Sequence, residues 1–335
     1  MKITIIQEDV QQPDITEEEL SEHWRQLYSI PEVDEIKIYK PDGYPDANTL
    51  HTYIQDADVV FGLWISKNVI NKEFLSKHPN LKYISCLGHG FEEFDTEMVR
   101  KMGLTITNTI YGAQTIAEHS WALLMEICHN ISYHSDHTKT TDWTIPKNIA
   151  SYGLARKPLI ELYGKTIGII GLGSIGFNIA KIAASFGMHV LSYNRHKKLG
   201  RQYRFVEQVS IPELLERSDV ISLNCPYTAE SANMINQNTI EQMKDGVILI
   251  NTARGGLINE QDLADALNTK KIYAAGLDVL ATEPNISSSP LLKCDNAYIT
   301  QHIAWLTRAS RFRAIDMAID NFEAYLQGEP KSVIS

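Results

Sequence analysis

The sequence predicts an α/β fold made of two doubly wound parallel-sheet domains. Three observations predict it. Short apolar runs of strand length alternate with helical patterns along the chain. That rhythm occurs twice, interrupted by a long helical pattern and a polar loop. A glycine-rich turn then opens the second series. The chain has 335 residues, enough for about two domains, and is 44% hydrophobic and 21% charged, an ordinary globular composition.

In the first series, strands are expected at Ile3–Ile6, Glu35–Tyr39, Ala57–Leu63, Leu81–Leu87 and Leu104–Thr107. Helices are expected at Thr16–Ser29, with Thr16 as its cap, and at Asn71–Lys77. A long helical pattern follows from Ala113 to about His134, its apolar positions including Ile116, Leu123, Leu124, Ile127 and Ile131. Residues 135–157 read as a polar loop containing Trp143. The second series starts at Lys165, with strands expected at Thr166–Ile170, His189–Tyr193, Asp219–Leu223, Val247–Asn251, Ile272–Leu277 and Ala297–Thr300. A last helix is expected from Ala304 to about Leu326. No repeat of solenoid period and no low-complexity segment interrupts this order.

Composition excludes several function classes. A net charge of -10 argues against nucleic acid as the main partner, since phosphate backbones require basic surfaces. The four cysteines, Cys86, Cys128, Cys225 and Cys294, are far apart and form no CxxC pair, so reduced thiols are expected. The opening MKITIIQEDV is too short an apolar run for a signal peptide, and no apolar run has transmembrane length. A cytoplasmic protein without membrane contact is expected. The histidines show no spacing with acids or cysteines that fits a metal site.

Gly171-Leu172-Gly173-Ser174-Ile175-Gly176 is a GxGxxG turn between an apolar strand and an amphipathic helix. Glycines alone are common in turns; this context is what points to a Rossmann-like dinucleotide site. Gly171 permits the tight turn and Gly173 lets a pyrophosphate approach the backbone. Gly176 lets helix and strand pack closely, and Ser174 and Ile175 lie where the helix N-terminus offers its amides. The ribose position at the end of the next strand holds Asn194 rather than an acid, followed by Arg195, His196, Lys197 and Lys198. Asn removes the repulsion an acid would exert on a 2′-phosphate, and Arg195 can pair with one. The expectation tilts toward NADP. Because Asn194 can also bond a ribose hydroxyl, NAD stays open.

Three polar clusters end strands of the second series: Asn251-Thr252-Ala253-Arg254-Gly255-Gly256, Asp278-Val279-Leu280-Ala281-Thr282-Glu283-Pro284 and Gln301-His302-Ile303-Ala304-Trp305. Ligands of open parallel sheets bind beyond the carboxyl ends of strands. Arg254, Glu283 and His302 are therefore expected to converge near the nicotinamide.

With GLGSIG, NTARGG, DVLATEP and HIAW in this order, the chain resembles the D-isomer-specific 2-hydroxyacid dehydrogenases from about Leu81 to Gln327. ALLMEICHNISYHSD and HIAW resemble the branch of glycerate dehydrogenases, or hydroxypyruvate (glyoxylate) reductases. The resemblance implies NAD(P)H-dependent reduction of a small 2-oxo acid to the D-2-hydroxy acid. His302 would protonate the carbonyl oxygen, since imidazole titrates nearest working pH. Glu283 would bond the other ring nitrogen, orienting the ring and favouring its protonated form. Arg254 would grip the substrate carboxylate with its planar fork.

Further roles follow from the same resemblance. Asp278 would hold the nicotinamide carboxamide, and Thr252, Ala253 and Arg254 would border its riboside. Cys225 and Pro226 would pass the adenosine, with Cys225 a wall rather than a nucleophile. Leu87, Gly88, His89 and Gly90 would form the loop whose amides bind the substrate carboxylate, leading into Asp95 at a helix start. The division implied is a substrate-binding domain of residues 1–110 and 305–335, a dinucleotide-binding domain of 111–304, and an interdomain cleft holding the active site. A homodimer formed through the helix from Ala113 and the Trp143 loop is also implied.

Some positions depart from the family pattern. Gln301 stands where many relatives have proline, and Glu92 where Asn or Asp is common. The segment Phe61–Ser66 is shorter than its glycerate dehydrogenase counterpart and lacks an Asn-Lys pair, so Trp64 is expected to shape the substrate pocket. These changes touch the substrate side and keep a bulkier 2-oxo acid open as an alternative to hydroxypyruvate. Formate oxidation is disfavoured by Glu283, where that branch has glutamine. A dinucleotide-sensing corepressor-like protein is the non-enzymatic alternative.

Overall fold

The computed structural model describes residues 1–7, 14–41, 43, 45–62, 70–88, 90, 95–142, 144–145, 158–283 and 287–334. Two compact units form, Met1–Gly112 with Trp305–Ser335, and Ala113–Ala304.

Among the described residues of the first unit, strands β1 (Lys2–Ile6), β2 (Glu35–Tyr39), β3 (Val59–Phe61), β4 (Tyr83–Cys86) and β5 (Thr105–Asn108) form a parallel sheet in the order β2-β1-β3-β4-β5. Helices α1 (Glu17–Trp24), α2 (Ala47–Ile54), α3 (Lys72–Lys77) and α4 (Thr96–Lys101) alternate with the strands. Each has a side-chain cap, Thr16, Asp46, Asn71 and Asp95 respectively, that satisfies an amide of the first turn. Thr16 and Glu19 complete a capping box. The expected helix to Ser29 tightens into a 3-10 turn from Arg25 onward. Gly62 ends β3 with φ +99, and a Cβ there would lie 2.0 Å from the Ile6 carbonyl oxygen.

The C-terminal helix Arg308–Leu326 returns to this unit and buries Ala314, Ile315, Ala318 and Phe322 against Trp24, Phe61 and Tyr83. The Phe61 ring meets Trp24 edge-on at 5.5 Å and Phe322 at 5.6 Å. This helix starts four residues later than the sequence pattern suggests. Thr307 is its cap, and the amide of Ala304 is instead held by the Asp278 carboxylate.

The second unit opens with α5 (Ala113–His129) and α6 (Ile131–Thr140). The expected unbroken helix to His134 is thus two helices, and the second extends into the segment read as a loop. Asn130 separates them at φ 47, ψ 45, left-handed backbone that Asn tolerates better than most residues. Strands β6 (Thr166–Ile170), β7 (His189–Tyr193), β8 (Glu207–Gln208), β9 (Val220–Leu223), β10 (Val247–Asn251), β11 (Ile272–Leu277) and β12 (Ala297–Ile299) form a parallel sheet in the order β12-β11-β10-β9-β6-β7-β8. Helices α7 (Ser174–Ser185), α8 (Ile211–Arg217), α9 (Gln237–Glu241) and α10 (Glu260–Asn268) connect them.

The chain starts in mid-sheet at β6, winds outward to β8, and then returns to β9 on the other side of β6. This reversal makes a crevice at the carboxyl ends of β6 and β9, where open α/β sheets bind ligands. Helix α5 lies on the same sheet because Gly276 of β11 leaves room: a Cβ there would sit 2.9 Å from Ile250 Cδ1 and 3.0 Å from Leu123 Cβ. Among the described residues, no helix is long and apolar enough to cross a membrane.

Candidate functional site

The glycine turn leaves β6 at the topological switch. Gly171 has φ +97, and a Cβ on it would meet the Asn224 carbonyl oxygen at 2.5 Å. A Cβ on Gly176 would lie 2.1 Å from the Gly171 oxygen. The protein itself therefore demands glycine at both positions. Gly173 differs: its φ is -77, and nothing lies within 4 Å of where its Cβ would be. No internal contact requires glycine there, so its bare backbone fits the close approach of a phosphate group. Gly173 is also the N-cap of α7 without a side-chain cap bond, which leaves the amides of the first turn, including Ser174 and Ile175, to an external acceptor.

Asn194 follows β7 and takes part in the turn. Its Oδ1 accepts the Leu172 amide at 2.6 Å, which commits the side-chain oxygen. Its Nδ2 is buried with no partner in the protein. Across the switch, Asn224 Nδ2 donates to the Ser222 carbonyl at 3.1 Å, and its Oδ1 is likewise buried without a partner. Buried polar groups are normally satisfied, so an orphan donor and an orphan acceptor flanking the glycine turn fit a polar ligand. Arg195 extends outward, 73% exposed, with Nη2 3.9 Å from Glu230 Oε2. Cys225 is mostly enclosed, and burial pushes its thiol up to about 11, so it stays protonated and inert. Pro226 follows it, its carbonyl accepting the Ser231 hydroxyl at 2.9 Å.

Beyond β10, the fully buried Asn251 folds the next turn. Its Oδ1 accepts the Ala253 amide at 3.0 Å and its Nδ2 donates to the Arg254 carbonyl at 2.9 Å. Thr252 is buried and its hydroxyl lies 2.8 Å from that of Ser120 on α5. Arg254 Nη1 donates to the Ala253 carbonyl at 2.8 Å. Gly255 allows this turn to touch the loop after β11, since a Cβ on it would stand 2.0 Å from the Leu280 carbonyl.

The loops after β11 and β12 carry the acid and the histidine. His302 Nδ1 lies 2.7 Å from Glu283 Oε2, and Glu283 Oε1 accepts the Leu280 amide at 2.8 Å. Burial pushes the Glu283 carboxyl up, but the His302 and Leu280 hydrogen bonds outweigh it and hold it below the ordinary Glu range. A carboxylate only accepts, so Nδ1 carries a proton toward Glu283. His302 itself has left-handed backbone, φ 55. Its amide donates to the Asp278 carbonyl at 2.8 Å. The Asp278 side chain is buried and holds the Thr300 hydroxyl at 2.6 Å and the Ile303 and Ala304 amides at 2.9 Å each.

Thus Arg254, Glu283, His302 and Asp278 all lie on loops at the carboxyl ends of the adjacent strands β10, β11 and β12, with Glu283 and His302 in direct contact. In the first unit, Leu87 and Gly88 follow β4 and are buried, and Gly90 is half-buried. Cys86 accepts the Thr109 hydroxyl at 3.2 Å through its carbonyl, and Gly88 accepts the Thr109 amide at 3.2 Å. His89, Trp64 and Glu92 lie outside the described residues, as do Trp143 and Pro284. Among the described residues, no group of three or more His, Cys, Asp or Glu could hold a metal ion.

Two residues at this edge of the sheet escape sequence reasoning. His119 and Ser120 sit on α5, whose pattern reads as an apolar stripe, yet their side chains reach the loops after β12 and β10. No spacing in the sequence signals those contacts.

Comparison with known proteins identifies the family of the chain. Residues 121–304 match the family model described as D-isomer specific 2-hydroxyacid dehydrogenase, NAD binding domain. A hydroxypyruvate reductase of Blautia hydrogenotrophica is 37% identical over 93% of this chain and 94% of its own length. A glycerate dehydrogenase of Methylorubrum extorquens is 32% identical over 84% of this chain and 86% of its own. Among solved structures, an acyclic imino acid reductase in complex with NADPH and D-Arg superposes with a TM-score of 0.83 at 28% identity, covering 100% of both chains. With its glycine turn at the switch point and its His302–Glu283 pair on the same sheet edge, the chain belongs to the D-isomer-specific 2-hydroxyacid dehydrogenase family.

Proposed function

We propose that this dehydrogenase reduces a small 2-oxo acid of the hydroxypyruvate or glyoxylate type to the D-2-hydroxy acid. The observation that carries the reading is the 2.7 Å contact between His302 Nδ1 and Glu283 at the ligand-binding edge of the nucleotide-type sheet. Bound NAD(P)H supplies the hydride. His302 delivers the proton from Nε2 to the carbonyl oxygen, becoming neutral as the alkoxide is quenched. Glu283 keeps the ring aimed. Arg254 holds the substrate carboxylate and polarises the adjacent carbonyl. Thr252 and Ala253 border the nicotinamide riboside, and Asp278 lies at the carboxamide. The first unit is the substrate-binding domain and the second the dinucleotide-binding domain. The names of the two relatives above support this substrate class.

The cofactor preference we infer is NADP over NAD. Asn194 spends its oxygen on Leu172 and offers only a donor at the ribose position. A donor beside a cationic Arg195 suits a 2′-phosphate better than a 2′-hydroxyl that seeks an acceptor. The NADPH in the imino acid reductase structure accords with this. A homodimer is part of the same reading. Ile131, Leu159, Tyr163 and Phe186 of the second unit are exposed apolar side chains that a second copy would cover. Sedimentation at monomer mass would refute it.

A substrate panel tests the main reading. Oxidation of NADPH and NADH is followed with glyoxylate, hydroxypyruvate and phenylpyruvate. The smaller acids should react fastest, and with NADPH. A preference for phenylpyruvate would replace the small-acid reading with the bulkier one. No turnover, with cofactor binding intact, would overturn the reductase reading.

A further inference from the structure

We propose that His119 is a positioning residue for the reaction: from helix α5 it holds, through Thr300 and Asp278, the backbone that presents His302. The inference rests on the reading of His302 as the proton donor.

The polarity of the chain of contacts is set by chemistry. Asp278 is only 1% exposed, and its ionised carboxylate can only accept hydrogen bonds. The Thr300 hydroxyl, 2.6 Å from Oδ1, must therefore donate to it. The Thr300 oxygen is then left to accept, and His119 Nε2 lies 3.0 Å away as the donor. The same Nε2 is 3.5 Å from Asp278 Oδ1, so the His119 N–H points at both acceptors. Each link thus has one possible direction, from His119 to Thr300 to Asp278.

Asp278 in turn controls three consecutive amides. Its carbonyl takes His302 N–H at 2.8 Å, Oδ1 takes Ile303 N–H at 2.9 Å and Oδ2 takes Ala304 N–H at 2.9 Å. His302 adopts φ 55, a conformation that a histidine keeps only when its surroundings impose it. Those three bonds fix the backbone on either side of its side-chain contact with Glu283. His119 and Thr300 settle where the Asp278 oxygens lie, and so where the His302 loop is pinned. The base of the lever is rigid: α5 lies close on β11 at Gly276, and Ser120, next to His119, bonds Thr252 at 2.8 Å. Loss of the His119 donor removes a partner from a buried charge and lets the Thr300 hydroxyl turn away. A small shift of the imidazole from its productive alignment then costs rate rather than cofactor binding.

The test is a double-mutant cycle between His119 and His302, using NADPH and the fastest 2-oxo acid of the panel above. His119→Phe keeps a ring but loses the donor; His119→Gln restores an N–H near the Nε2 position. His119→Phe should lower kcat by about tenfold to a hundredfold, with NADPH affinity, read by cofactor fluorescence, within about twofold. His119→Gln should recover most of the loss. Thr300→Val, which removes the bridging hydroxyl without changing shape, should mimic His119→Phe and serves if that variant does not fold. In a His302→Asn background, His119→Phe should have no further effect on kcat, because it acts only through His302. An unchanged kcat in both His119→Phe and Thr300→Val, or the same fold loss in the His302→Asn background, would overturn the proposal alone. A His302→Asn enzyme as active as the parent would instead sink the proton-donor reading, and the proposal with it.

Discussion

Nδ1 of His302 stands 2.7 Å from Oε2 of Glu283, and the other Glu283 oxygen is tied to the Leu280 amide at 2.8 Å. The acid is therefore a fixed post rather than a mobile side chain. Its carboxyl, held below the ordinary Glu range, stays ionised at neutral pH and orients the ring through Nδ1.

Replacing His302 by Gln removes the imidazole and keeps a polar side chain of similar reach. Turnover should fall by about 10²–10⁴-fold, the usual contribution of general acid–base catalysis. Affinity for NADPH should remain near that of the parent. Steady-state kinetics together with a cofactor fluorescence titration measures both; loss of cofactor binding would make His302 a structural residue.

Arg195 is 73% exposed and its ion-pair distance to Glu230 is a loose 3.9 Å. Its guanidinium is thus available to a phosphate at little cost. Arg195→Ala should raise KM for NADPH by about tenfold, roughly 1.4 kcal/mol, and leave KM for NADH little changed. Equal effects on the two cofactors would remove the phosphate role from Arg195.

Gly255 brings the Arg254 turn against the loop that carries Glu283. An alanine Cβ would stand 2.0 Å from the Leu280 carbonyl, a backbone group with no rotamer to escape into. Gly255→Ala should destabilise the protein by about 1–3 kcal/mol and depress kcat/KM by displacing both loops. Thermal unfolding and kinetics report the two effects; an active, fully stable variant would show that this contact is not needed.

Asp278 sets an acid limit on stability. Burial pushes its carboxyl up, but the bonds from His119, Thr300 and the Ala304 and Ile303 amides outweigh that and hold it below the ordinary Asp range. A folded value below the unfolded value of about 3.9 means the stabilisation is complete above that pH and is lost as pH falls through the folded value. Asp278→Asn should be less stable than the parent at pH 7, and the gap between their melting temperatures should narrow below about pH 4. A gap that stays constant on acidification would mean that Asp278 is not ionised in the fold.

Much of this molecule is legible in its residue order, and the reason is local. Parallel strands buried on both faces are continuous apolar runs, so Ile3–Ile6, Thr166–Ile170 and Val247–Asn251 stand out without any partner in view. The turn Gly171–Gly176 is legible because its glycine spacing follows an apolar strand and opens a helix, and the polar clusters around Arg254, Glu283 and His302 mark strand ends. The two-residue strand Glu207–Gln208 carries too little pattern to be seen, and the break at Asn130 hides inside a helical period that continues across it. What only the tertiary structure decided is how the loops are held. His119 and Thr300 are 181 positions apart, and nothing local to either calls for the other. Asp278 is expected at the carboxamide, and only the structure shows that its oxygens also hold Thr300, Ile303 and Ala304. Asn194 is expected at the ribose, and only the structure shows that its oxygen holds the Leu172 amide. In each case a buried polar atom must find a partner, and which partner is near depends on how the sheet brings distant strand ends side by side.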